Sequence, residues 1–163
     1  MTRPWEEFIA NGPALAPHYD EVPELTGVRL RSVHLDGWGS AVTLRLDLPG
    51  FPDRWEGGPG DTMQCQVAFS HVADFVMEGW RPPVTADVVL TELPAHRLAV
   101  RVEAPGTGVS FTANASVLVG KFSVFTRDPD GGDGGPHHFA GRLDGRLYPT
   151  VPPTYANPFY ERL

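Results

Sequence analysis

Residues 41–69 read AVTLRLDLPGFPDRWEGGPGDTMQCQVAF, and the two ends of this stretch decide the fold. Val42, Leu44, Leu46 and Leu48 alternate with Ala41, Thr43, Arg45 and Asp47. Met63, Cys65, Val67 and Phe69 alternate in the same way with Thr62, Gln64, Gln66 and Ala68. A period of two puts each set on one side of an extended chain, so both ends are expected as strands with one buried face. The turn between them, LPGFPDRWEGGPGD, combines Pro and Gly with a Trp and several acids, and is read as a corner of the fold with a partner edge. Trp55 is expected to be buried there, with Arg54, Glu56 and Asp61 exposed around it.

The same period extends outward along the chain. Val28 and Leu30 lie in one phase and Val33 and Leu35 in the other, which predicts a strand carrying a bulge near Ser32. Further strands are expected at Val72 to Glu78, Val84 to Glu92, Arg97 to Glu103, Val109 to Ala115 and Val117 to Phe125. Their short connectors, DGWG, LPAH and APGTG, favour antiparallel neighbours over βαβ units. Pro4 to Ala10 reads as a short helix with Trp5, Phe8 and Ile9 on one face, acids in its first turn, and Asn11-Gly12 as its stop. The fold expected is therefore mainly β (α+β), an antiparallel meandering sheet or sandwich with a short N-terminal helix.

Two regions follow from composition. Residues 1–127 form the β domain, and residues 128–163 a Gly/Pro-rich extension. RDPDGGDGGPHH cannot nucleate a core, whereas the proline-rich end carries Tyr148, Tyr155, Phe159 and Tyr160. Those aromatics are expected to dock on the domain itself or on a neighbouring copy, so self-association through the tail is one partner reading.

The 163 residues suit one core without disulfide or structural metal. TRPWEEFIANG after Met1 has no signal-peptide pattern, and no apolar run approaches the length of a membrane span, so a cytoplasmic protein without membrane contact is expected. A formal net charge of −7, with basic residues spread singly among acids, argues against nucleic acid and suits a basic partner. The lone Cys65 sits in MQCQVAF as a core-facing strand residue.

Catalytic and cofactor patterns are weak. His18, His34, His71 and His96 are scattered, and His137-His138 lies in a glycine-rich run, so no metal site is expected. There is no GxSxG elbow, and GGPG and DGGDGG lack the Lys-Ser/Thr of a phosphate loop, so neither a catalytic set nor a cofactor is expected. Asp53, Glu56 and Asp61 share one loop and could converge as an acid/base pair, but acids in such turns are usually solvated. Trp38, Trp55 and Trp80 on one face would suit sugar stacking, which keeps a ligand- or carbohydrate-binding β-sandwich as the alternative.

The succession PELTGVRLRSVHL, VTLRLDLPGFP, RWEGGPGDTMQCQVAFSHV and FVMEGW resembles the immunity protein 50 family of bacterial polymorphic toxin systems. The matching positions are Pro23, Leu25, Gly27, Leu30, Leu44, Leu46, Leu48, Pro49, Pro52, Trp55, Gly79 and Trp80, within a span from about Trp5 to Arg127. Asp61 stands where that family usually has Asn, and the segment after Arg127 has no counterpart in it. The resemblance implies a non-enzymatic, cytoplasmic inhibitor that binds a cognate toxin domain. Arg54, Trp55, Glu56, Asp61 and Trp80 are the partner-binding candidates, since aromatic and Arg side chains are favoured anchors.

Overall fold

The computed structural model describes residues 3–12, 14–81 and 83–139. Nine strands follow in chain order: β1 (Val28–Asp36), β2 (Ala41–Asp47), β3 (Thr62–Phe69), β4 (Ala73–Glu78), β5 (Val84–Leu93), β6 (Arg97–Ala104), β7 (Thr107–Asn114), β8 (Val117–Phe125) and β9 (His138–Phe139). They form one sheet in the order β4-β7-β6-β5-β1-β2-β3-β8-β9, every neighbouring pair antiparallel. The expected antiparallel β architecture is thus present, with eight of the strands at the positions that the alternation marks. No helix among the described residues is long and apolar enough to cross a membrane.

The sheet curls so that its two halves share one hydrophobic cluster. Val42, Leu44, Leu46, Met63, Cys65, Val67 and Phe69 meet Val88, Leu90, Val100, Val102, Val109 and Phe111 there. Phe69 and Phe111 touch edge to face with centroids 5.2 Å apart, and Phe75 stacks on Phe111 at 5.9 Å. Cys65 is fully buried, and desolvation drives its thiol pKa far up, so it behaves as a small apolar core residue.

Three irregularities break the ladder. The expected bulge in β1 is real: the register shifts between Leu30 and Ser32, leaving Arg31 as the extra residue. In β8, Lys121 and Phe122 together face the single Cys65 of β3, and Lys121 takes φ 54°. In β4 the register shifts between Ala73 and Val76, where Asp74 takes φ 56°. Bulges re-aim side chains, and the first two turn a cation onto the face opposite the core. At the end of β4, Gly79 takes φ 59°, and a Cβ there would collide with the carbonyl oxygen of Gly106. Thr107 Oγ1 donates to the Gly79 carbonyl, which locks that corner.

Three expectations need correction. The helix over Pro4 to Ala10 is only a four-residue 3-10 turn, Trp5–Phe8. Ile9 is already extended and bridges Val117, with Ala10 N donating to Val117 O at 2.8 Å, because pairing with the sheet edge wins over one more helical bond. Trp5 and Phe8, from the face the pattern marks, are buried. Asn11 goes further than a helix stop: its Nδ2 donates to Val119 O at 2.7 Å and its Oδ1 accepts from Val119 N at 3.1 Å. Second, β3 is buried on both faces, since Thr62, Gln64 and Gln66 are as enclosed as their apolar neighbours. The glycine-rich segment 126–139 covers this face at Gln64 through Asp133 and at Ser123 through His137, and ends in β9 paired to β8, while Lys121 reaches Gln66. Third, Trp55 is half-buried rather than buried. The expected docking of Tyr148, Tyr155, Phe159 and Tyr160 concerns residues outside the described ones.

Candidate functional site

The β2–β3 connection is a braced turn. Arg54 Nε donates to Pro17 O at 3.0 Å, its Nη2 to Ala16 O at 3.0 Å, and its Nη1 pairs with Asp20. Asp53 accepts from Asp20 N at 2.8 Å, and Tyr19 donates its hydroxyl proton to Gly50 O at 2.6 Å. Trp55 donates Nε1–H to Gly58 O at 2.8 Å and lies 5.6 Å from the His18 ring. Arg54, Glu56 and Asp61 are exposed as expected. Asp61 nevertheless holds structure together, since its Oδ1 accepts from Arg127 N at 3.0 Å and from Thr62 Oγ1 at 2.8 Å. Those bonds, the Arg127 amide foremost, hold its carboxyl below the usual carboxylate range. Asp53 and Asp61 therefore serve separate contacts.

Trp80 is half-buried, packs against the core and follows β4 in the chain, outside the β2–β3 turn. Of the five candidate residues, Arg54, Trp55 and Glu56 share the β2–β3 turn, Asp61 stands at its exit and Trp80 follows β4.

A second feature escaped the sequence reading. Asp47, fully buried at the end of β2, accepts from Arg31 Nε at 3.0 Å, Arg31 Nη2 at 2.6 Å, Gln64 Nε2 at 3.0 Å and Arg127 Nη2 at 3.3 Å. Above it, Asp133 Oδ2 accepts from Arg45 Nη1 at 2.8 Å and Gln64 Nε2 at 2.9 Å, with Arg31 Nε at 3.6 Å. Burial works against the Asp133 carboxylate, but the Gln64 hydrogen bond and the charges of Arg45 and Arg31 outweigh it and hold its pKa low. His137 sits beside it, with Nδ1 2.8 Å from Ser123 Oγ, Nε2 2.9 Å from Asp133 O, and its ring stacked on Phe125 at 4.5 Å. Desolvation lowers the His137 pKa, so the neutral ring is favoured. The available signal was a set of outward strand positions, Arg31, Arg45, Asp47, Gln64 and Lys121, that hold long polar side chains of both signs.

A third feature lies at one end of the sheet, where four connections are tied together. Val72 N donates to Ser40 O at 2.7 Å, Asn114 N to Ser70 O at 2.9 Å, Ala115 N to His96 O at 2.9 Å, and Arg97 Nη1 to His71 O at 2.8 Å. Ser40, His71, Asp74, Ala95 and His96, five of the six described non-glycine residues with positive φ, belong to this end. Trp38, at the tip of the β1–β2 hairpin, is 100% exposed, and Leu35 below it is 53% exposed. Asp36 Oδ1 accepts from Trp38 N at 3.0 Å and so sets the turn.

Among the described residues, no group of three or more His, Cys, Asp or Glu is placed to hold a metal ion. The described surface includes a groove of about 350 Å³ between Arg3, Glu24 and Val88 and another of about 370 Å³ over β4, β7 and β6. In the second, Arg101 and Glu103 pair with each other at 2.9 Å. Comparison with known proteins finds no matching family, no curated relative and no similar solved structure.

Proposed function

We propose that this chain is a non-enzymatic binding protein that neutralises a cognate bacterial toxin domain in the cytoplasm, the role implied by its resemblance to the immunity protein 50 family. The observation that carries the binding reading is Trp38, fully exposed on a hairpin whose neighbouring loops are cross-tied and conformationally strained. Strained backbone persists where surrounding structure over-determines it, and it concentrates at functional surfaces. A Trp left wholly in water, on a turn whose backbone is set by Asp36, offers a large aromatic surface to a partner pocket. The β2–β3 turn, with Arg54, Trp55, Glu56 and Asp61, is the second contact edge, and Trp80, after β4, a further contact. Catalysis has no part in this reading.

Toxins that act on nucleic acid are commonly basic, and a net charge of −7 speeds encounter with such a partner at low salt. The decisive experiment is co-expression with a toxin domain encoded beside this chain. Rescue is expected from that toxin and from few others, and failure to bind or protect sinks the proposal. Trp38→Ala should weaken the complex by about 2 kcal/mol or more, as loss of an anchoring Trp does. Glu56→Lys is the cleaner test of the turn, because Asp61 also holds Arg127 N. A lower association rate is expected for it, and an unchanged rate removes the turn from the interface.

Trp38 equally suits stacking on a sugar ring, which is the observation favouring the carbohydrate-binding sandwich. Glycan-array binding lost on Trp38→Ala, with no toxin binding, would establish that alternative.

A further inference from the structure

The outer face of β1, β2, β3 and β8 carries four cations, Arg29, Arg31, Arg45 and Lys121, against two carboxylates, Asp47 and, at the hairpin end of β1, Asp36. This is a positive surface on a protein of net charge −7. The chain hides it beneath its own residues 126–139, whose acids are Asp128, Asp130 and Asp133. Asp133 reaches between Arg45 and Gln64, and Gly131 O accepts from Arg31 Nη2 at 2.9 Å.

The cover is held by hydrogen bonds and charge rather than by apolar burial. Residues 126–139 include no buried residue, four are glycine and two proline, and only His138 and Phe139 pair with β8. The fit is also incomplete. Gly131 packs so close to Arg29 that a Cβ there would lie 2.9 Å from Nη2, and Arg29 Nε is buried with no hydrogen-bond partner among the described residues. A buried donor without an acceptor is costly, so the cover leaves binding capacity of this face unused.

We propose that this face is a binding site for an acidic, extended protein segment, occupied in cis by residues 126–139 with Asp133 in the place of the incoming carboxylate. An arginine pair beside an amide donor is the chemistry that recognises a carboxylate. The cis occupant also displays the mode: a carboxylate in the socket, followed by short strand pairing on the edge of β8. A segment richer in carboxylates than 126–139 would supply the acceptor that Arg29 Nε lacks. The site is independent of the toxin reading and stands or falls separately from it.

The probe is a labelled peptide with the sequence of residues 126–139, tested against the full chain by fluorescence anisotropy. Wild type should bind it weakly, and Asp133→Asn, which empties the socket of charge while keeping its volume, should bind it at least tenfold more tightly. The gain should vanish when Arg45→Gln is added, or when the peptide's own Asp133 is replaced by Asn. Equal binding by wild type and Asp133→Asn, or a gain indifferent to Arg45 and to the peptide's aspartate, overturns the proposal. Should Asp133→Asn fail to fold, hydrogen exchange on the wild-type chain decides instead. The amides of residues 131–139 should then exchange through an opening that leaves β5, β6 and β7 protected. Exchange of both only together means the segment is a fixed part of the fold and refutes a displaceable cover.

Discussion

β3 and β5 both alternate cleanly in sequence, yet they end in opposite circumstances. β5 buries Ala86, Val88 and Leu90 and leaves Asp87, Val89 and Thr91 to solvent. β3 buries Met63, Cys65, Val67 and Phe69 on one side and Thr62, Gln64 and Gln66 on the other. Alternation reports chemical difference between two faces, and it says nothing of whether the polar face meets water or other polar groups. In β3 the second face is filled by ions and amides that satisfy one another.

The largest effect is expected at Asp47, on the covered face of β2. Its replacement by Ala leaves Arg31 buried without its main counter-charge, and a loss of about 3–5 kcal/mol is expected in urea unfolding. Exchanging the pair together, Arg31→Met with Asp47→Leu, should cost clearly less, because well-packed apolar groups replace buried ion pairs at little loss. A double variant as unstable as Asp47→Ala would mean that the face needs its charges. On the inner face, Leu46→Ala should cost about 2–5 kcal/mol, as truncation of a buried Leu does, and a loss under about 0.5 kcal/mol would reverse the assignment of faces.

A smaller effect distinguishes the covered half by pH. His137 is held below its ordinary value by burial, so the folded protein binds fewer protons there than the unfolded chain. Its contribution is complete above the ordinary imidazole range and is lost as pH falls through the lowered value. Stability should therefore decline below about pH 6.5, the ordinary imidazole value, and His137→Gln should flatten the decline. The carboxyls of Asp61 and Asp133 are held low and add their own loss only in stronger acid. On the bare half, Arg101→Ala removes an exposed pair with Glu103 and should change stability by less than about 0.5 kcal/mol.

Local pattern was legible where the cause is local. The strand positions, the core set from Val42 to Phe69 and the β1 bulge follow from the two-residue period and its single slip. The outer network was not, because its contacts join Asp133 to Gln64 and Gly131 to Arg31 across 69 and 100 residues, and no periodicity encodes such pairing. A glycine-rich run without apolar residues reads as loop, and its docking rests on hydrogen bonds and charge. Trp55 and Trp80 looked alike in sequence and both end half-buried, whereas Trp38, in an ordinary hairpin motif, is the one left fully in water. Arg54 and Asp61, exposed as expected, are poor probes of a partner, because each is committed to holding a neighbouring segment of the chain.

Asn11 has a consequence for how the sheet is kept from growing. Its amide makes with Val119 both bonds that a residue of an adjacent strand would make, and Ile9 covers Val117 beside it. A side chain thus terminates the ladder where another chain would otherwise add to it. Proteolytic loss of residues 3–12 would uncover a run of β8 backbone flanked by Val117, Leu118 and Val119, a template for intermolecular growth, so trimming at the N-terminus converts a self-limited sheet into a seed for aggregation.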